Sequence, residues 1–210
     1  MAQIKFKGCD ISHWQRSVMF SQLKKDVDFV ILKCGGSDKT DFFYIDSCFE
    51  NYYKACKAHG IAVGCYWFAG KDSKGSEAGR REAMYLINAI KTKKFEYPIY
   101  LDFELGKSIN KSQNTEFCKA FLTMLEACGF YAGIYSSDIA GFKYSLKIEE
   151  LYKYTMWVAR YGKEPQYVHH YHMWQYTSNG KIKSIIGDVD LDYSYINFPS
   201  IIRRKHLNGY

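Results

Sequence analysis

Short apolar runs that alternate with amphipathic stripes constrain this 210-residue chain more than any other feature. Phe29-Val30-Ile31-Leu32 is a continuous apolar run of the kind expected for a strand covered on both faces, and Lys33 closes it. Residues 61–68, 97–101 and 130–135 repeat the pattern, while residues 4–8 alternate apolar and polar before a stop at Asp10. Between the runs lie helical spacings. A short one falls near Phe20 and Leu23. The next holds Ile45, Phe49, Tyr52, Tyr53 and Cys56, with Gly60 as its stop. Gly79, Ala83, Leu86, Ile87 and Ile90 follow Ser76-Glu77. Phe117, Phe121, Leu122 and Leu125 follow an Asn110 N-cap with Gln113 three residues on, and end at Gly129. Five turns of strand-then-helix predict a parallel sheet.

After residue 150 the pattern changes. Three strand-like runs follow with short connections: Met156-Trp157-Val158-Ala159-Arg160-Tyr161, His172-Met173-Trp174-Gln175-Tyr176-Thr177, and residues 185–191. Eight strands with about five flanking helices, crowded into the first two thirds, predict an irregular TIM-like α/β barrel, (β/α)5(β)3. A doubly wound open sheet is the alternative. The length suits one domain, placed at residues 1–200, with 201–210 expected as a C-terminal tail or the start of a linker.

Composition narrows the class. There are 19 Tyr, 14 Phe and 4 Trp, enough to pack a core and still leave flat platforms for sugar rings. The net charge of +7 suits a negatively charged partner, but no nucleic-acid motif accompanies it, so none is expected. Seven cysteines, an odd number without C-x-x-C spacing, argue against a disulfide framework or a zinc cluster. The start, Met-Ala-Gln-Ile-Lys-Phe-Lys, lacks the apolar region of a secretory signal, and no run is long enough to span a bilayer. The expectation is a cytoplasmic product without membrane insertion.

The chemistry centres on Tyr97-Pro98-Ile99-Tyr100-Leu101-Asp102-Phe103-Glu104. Residues i and i+2 of a strand share a face, so Asp102 and Glu104 should stand side by side with divergent proton affinities. That is equipment for acid/base hydrolysis, above all of glycosides. An isolated pair would more often simply face solvent. Asp10 ends the first strand, however, and Asp190 falls at the end of the eighth. In a closed parallel barrel all four acids would meet at the carboxyl-end face. Clustered acids could instead hold Mg²⁺ or Ca²⁺. Yet the histidines show no ligand spacing; His169, His170 and His172 read as surface or packing residues, and no metal or cofactor is expected. No serine or cysteine nucleophile motif is present.

Gly8-Cys9-Asp10-Ile11-Ser12-His13-Trp14-Gln15 resembles the G-x-D-[VI]-S-x-x-Q opening of glycoside hydrolase family 25, the Chalaropsis-type lysozymes. The stretch from Pro98 to Glu104 resembles that family's P-x-x-x-D-x-E strand. Trp157-Val158-Ala159-Arg160-Tyr161, Trp174-Gln175-Tyr176 and Val189-Asp190-Leu191-Asp192 resemble its late W-x-A-x-Y, W-Q-[YF] and V-D-[LF]-[ND] strands. The match runs in order from about residue 5 to 198. Arg16 stands where glycine is common, and Asp192 where asparagine is frequent, which leaves two late aspartates to choose between.

The resemblance implies a muramidase that cuts the β-1,4 bond between N-acetylmuramic acid and N-acetylglucosamine in peptidoglycan. It implies Glu104 as general acid/base and Asp102 as charge stabiliser or nucleophile, with net retention. Asp10 and Asp190 would hold that pair and tune it. Lys33, Tyr66, Phe68, Tyr135 and Trp174, at strand ends, are the candidate substrate-binding residues; each aromatic could equally pack the barrel top. Trp157 reads as core. The partner implied is bacterial cell-wall peptidoglycan, acted on after release, with a separate or truncated C-terminal wall-binding domain conceivable. A non-catalytic peptidoglycan-binding barrel, and less readily a metal-dependent phosphodiesterase, are the other classes.

Overall fold

The computed structural model describes residues 5–38, 43–104 and 110–210. Strands β1 (Phe6–Ile11), β2 (Phe29–Gly36), β4 (Ala62–Phe68), β5 (Ile99–Asp102), β6 (Ala132–Ser137), β7 (Thr155–Ala159), β8 (Met173–Gly180) and β9 (Val189–Ser194) pair in sequence order, and β1 pairs with both β2 and β9. The sheet therefore closes into an eight-stranded barrel, as the alternating pattern predicts, and the open-sheet alternative falls. A two-residue strand, β3 (Tyr44–Ile45), adds an antiparallel edge to the upper end of β2. Ile4, expected to open β1, lies outside the described residues.

Helices α1 (Phe20–Asp26), α2 (Phe49–Ala58), α3 (Gly75–Ile90) and α4 (Lys111–Ala127) flank the barrel. Their limits follow the local signals. Asn110 accepts from the Gln113 N–H, satisfying one of the free donors at the start of α4. Gly60 and Gly129, with φ of +64° and +80°, turn the chain out of α2 and α4 in a conformation that side chains with a Cβ resist. After β6 the expected fifth helical crossover is a short π-helical segment, Asp138–Lys143.

Period-two alternation splits the core in two. Outward residues such as Val30, Leu32, Val63, Trp67 and Leu101 pack against the helices. Inward residues fill the barrel: Phe29, Ile31, Tyr97, Tyr100, Trp157 and Met173 form one buried cluster. Gly8 and Gly133 make room for them; a Cβ at Gly133 would lie 2.4 Å from the Tyr100 ring, and one at Gly8 2.3 Å from Phe29.

Two features depart from expectation. The first is β9, which runs antiparallel to both β8 and β1. Asp190 is therefore near the start of its strand, yet reversal brings that start to the face where the parallel strands end. The second is the C-terminus. Residues 201–210, expected as a tail or linker, complete helix α5 (Phe198–Arg204) and a packed turn. Phe198 and Ile202 enter the barrel-interior cluster from the end where the parallel strands begin. Asn208, fully buried, accepts from the Tyr131 N–H at 2.7 Å and donates to Tyr97 O at 2.9 Å. The C-terminal segment closes the floor of the barrel.

Candidate active site

Strand parity brings the acids together. On β1, Gly8 and Asp10 point inward; on β2, Phe29, Ile31 and Lys33; on β5, Tyr100 and Asp102, with Glu104 two residues on. The upper members of these rows line a bowl of about 300 Å³ at the carboxyl ends of the parallel strands. Asp10, Asp102, Glu104, Asp190, Lys33, Tyr66, Phe68 and Tyr135 all line it. Asp10 and Asp190 are direct cross-strand partners. Asp102 is buried, whereas Glu104 is exposed at the mouth.

Few cations compensate these carboxyls. Burial, and then the neighbouring Glu104 charge, hold the Asp102 carboxyl well above the usual carboxylate range; Lys33 opposes the rise. One oxygen of Asp102 is buried without a hydrogen-bond partner among the described residues. Glu104 is raised as well, chiefly by desolvation, with Tyr135 and Lys33 working the other way. Asp190 is pushed up to about 6 by burial and by Glu104. Lys33 Nζ sits 4.5 Å from the centre of the Phe68 ring, so this lysine, the one among the described residues that lines the bowl, rests on an aromatic wall instead of reaching out to solvent.

The sequence reading passed over the residue that links the acids to the tyrosines. Gln175 Oε1 accepts from Tyr135 Oη at 2.8 Å and Tyr161 Oη at 3.0 Å, while Nε2 donates to Asp10 Oδ2 at 2.8 Å. Beneath it, Trp157 Nε1 donates to Asp192 Oδ1 at 2.8 Å. Trp157 is core, as expected, but it is also part of the bowl's floor. The choice between the two late aspartates resolves into both, stacked: Asp190 faces the bowl, and Asp192 lies fully buried below it.

Trp174 is a correction. Met173 and Gln175 point inward, so Trp174 between them points out; it does not line the bowl. Its Nε1 donates to Arg160 O at 2.7 Å, and its ring packs near Tyr176 and Tyr193. The signal was available, because Asp10 fixes which face of the neighbouring strands looks inward.

Two aromatic residues on connections complete the rim. Trp14, on the loop after β1, is 75% exposed and leans on His13, whose Nδ1 lies 2.6 Å from Asp46 Oδ2. Tyr161 is held by a buried knot. Asp138 accepts from Arg160 Nη1 at 2.7 Å and from the backbone N–H of Gln166, Tyr167 and Val168, which pins the β7–β8 connection. Of the histidines, His169 and His170 are exposed and His172 accepts from the Met156 N–H. Among the described residues no three His, Cys, Asp or Glu side chains form a metal-binding group, and no helix is long and apolar enough to cross a membrane.

Buried carboxyls beside an exposed one, in a bowl walled by aromatic rings, suit the cleavage of a bond between sugars. The chain belongs to the glycosyl hydrolases family 25, whose model matches residues 9–185. The autolytic lysozyme of Clostridium acetobutylicum is 27% identical over 194 residues, which is 89% of this chain and 55% of that protein. The chain thus spans about half the length of this curated relative. The CTP1L endolysin superposes with a TM-score of 0.79 at 26% identity, covering 95% of this chain and 70% of that one. The catalytic domain of an endolysin from a bacteriophage of Listeria monocytogenes superposes with a TM-score of 0.74 at 25% identity, covering 97% and 99%.

Proposed function

We propose that this chain is a muramidase, hydrolysing the β-1,4 bond between N-acetylmuramic acid and N-acetylglucosamine in bacterial peptidoglycan. The observation that carries it is the meeting of Asp10, Asp102, Glu104 and Asp190, from three separate strands, in one aromatic-walled bowl. Family membership and the lysozyme and endolysin relatives support the same substrate class.

In this reading Glu104, raised yet open to solvent, protonates the departing glycosidic oxygen and then deprotonates a water. Asp102 faces the anomeric carbon as charge stabiliser or nucleophile. Placement of the two carboxyls two residues apart on one strand end favours net retention, because inversion needs roughly 6.5–9.5 Å between them to admit a water. Asp10 and Asp190 keep this pair in place and raise its proton affinity. Lys33, Tyr66, Phe68 and Tyr135 contact the sugar, joined by Trp14 and Tyr161 at the rim. The enzyme reaches the wall after its release from the cell, and a wall-binding domain elsewhere would add affinity without altering the chemistry.

Mass spectrometry of digested cell walls tests this. Products reducing at muramic acid, formed by the wild type and lost in Glu104→Gln, are expected. Ends reducing at glucosamine, freed peptides, or clearing that EDTA abolishes would overturn it.

A further inference from the structure

At the base of the catalytic bowl Asp10, which lines it, meets Asp192 buried beneath, and the proposed reaction uses neither carboxyl directly. Asp192 is fully buried, and Asp10 is 5% exposed directly above it. Each has one oxygen committed to a neutral donor: Asp192 Oδ1 to Trp157 Nε1, and Asp10 Oδ2 to Gln175 Nε2, both at 2.8 Å. Asp192 Oδ2 is buried with no donor among the described residues. The neighbour it meets is the side chain of Asp10.

Among the described residues the surroundings offer no positive charge. The titratable groups that act on this pair are the carboxyls of Asp190 on β9 and Asp102 on β5 and the phenols of Tyr66, Tyr100, Tyr135 and Tyr161 on the inner side, with the Cys9 thiol and Tyr176 on the outward face of the sheet. Burial pushes Cys9 and Tyr100 upward and desolvation raises Tyr176, so all three are neutral near pH 7. Lys33 acts on Asp102 and Glu104 instead. Two adjacent buried carboxylates with no cation or donor between them would repel, and one neutral hydrogen bond to each does not offset that cost. Removing one charge with a proton converts that repulsion into a charge-assisted O–H···O⁻ hydrogen bond.

We propose that Asp10 and Asp192 share a single proton, so that the base of the bowl carries one negative charge from this pair and Asp192 acts as a positioning residue for Asp10. The proton occupies the otherwise unpartnered Oδ2 of Asp192 and bridges to the carboxyl of Asp10. Gln175 holds Asp10 Oδ2, and through Gln175 the bridge also orients Tyr135 and Tyr161 in the bowl. The titration belongs to the pair and not to either residue alone. Loss of the shared proton at alkaline pH would set two charges against each other beneath Asp190 and unseat Asp10. The consequence for turnover rests on the muramidase reading; the proton itself does not.

Infrared difference spectroscopy at neutral pH tests the proposal, because a protonated carboxyl absorbs apart from carboxylates. Asp192→Asn and Asp10→Asn should each remove one protonated-carboxyl signal, and the double variant should remove no more than either. An asparagine at either position supplies an N–H in place of the shared O–H, so both variants keep the shape of the bowl's base. Loss of two signals in the double variant would show two protons, and loss of none would show none; either result overturns the shared proton. In Asp192→Asn the alkaline limb of wall cleavage should move up by about one pH unit or more. An unmoved limb would refute the positioning role. A wild type that shows the shared signal but cleaves no wall would leave the proton standing and remove the muramidase reading instead.

Discussion

Replacing Asp190 by asparagine should make the protein more stable and less active, and the gain in stability should depend on pH. Asp190 titrates near 6 because burial and Glu104 disfavour its charge, against an ordinary value of 3.8. That rise of about 2 pH units amounts to about 3 kcal/mol at 1.36 kcal/mol per unit. Asp190 keeps some contact with water, so screening reduces the expected figure to roughly half, about 1.5 kcal/mol. A carboxyl raised in this way favours folding below its unfolded pKa, about 3.9, and gives that stability up as pH climbs through about 6. Wild type and Asp190→Asn should therefore unfold alike near pH 4 and diverge toward pH 8, with the variant ahead. For a chain of this size the gap corresponds to about 3–6 °C in Tm. The lost charge also eases ionisation of Asp10 and Asp192, on both of which Asp190 acts, which widens the gap further. Calorimetry across that pH range measures it. A stability difference that stays constant with pH, or a variant less stable at pH 8, would refute the electrostatic account of the bowl.

Glu104→Gln should lower the rate of wall cleavage by about 10²–10⁴-fold while raising Tm at neutral pH, because the charge it removes opposes ionisation of Asp102 and Asp190; turbidity and calorimetry read the two together. Trp14→Ala should raise KM for wall fragments with stability within about 0.5 kcal/mol, since the indole is 75% exposed; an unchanged KM would remove Trp14 from the rim. Gly133→Ala should destabilise by about 1–3 kcal/mol in urea unfolding, because its Cβ would meet the Tyr100 ring at 2.4 Å. Asn208→Ala should cost about 2–4 kcal/mol, leaving the Tyr131 N–H and the Tyr97 carbonyl unpaired; a neutral result would show that the C-terminal turn does not seal the floor.

The barrel was legible in the chain because its periods are local. The apolar run at Phe29 and the capped stripe after Asn110 each name their element without reference to a partner. Acids at strand ends were legible for the same reason. What local pattern does not carry is direction and parity. The antiparallel course of β9 follows from closing the barrel between β8 and β1, a condition no window of residues contains. Trp174 was misplaced by one position: the aromatic residue drew attention, while the inward glutamine beside it links the tyrosines to Asp10. Helix α5 did carry a signal, an Asn197 N-cap that accepts from the Ser200 N–H with Pro199 at the helix start. Closeness to the terminus made it read as tail.

The stopper at the barrel floor fixes an exit route. Tyr210 lies against Glu96, Lys57 and Arg203, at the end where the parallel strands begin. A polypeptide fused after it would emerge roughly 20 Å, the length of a six-residue strand, from the bowl at the other end. A tether grafted there cannot obstruct the cleft by proximity, but it must be long enough to travel around the barrel before an attached anchor can raise the local concentration of sugar at Glu104.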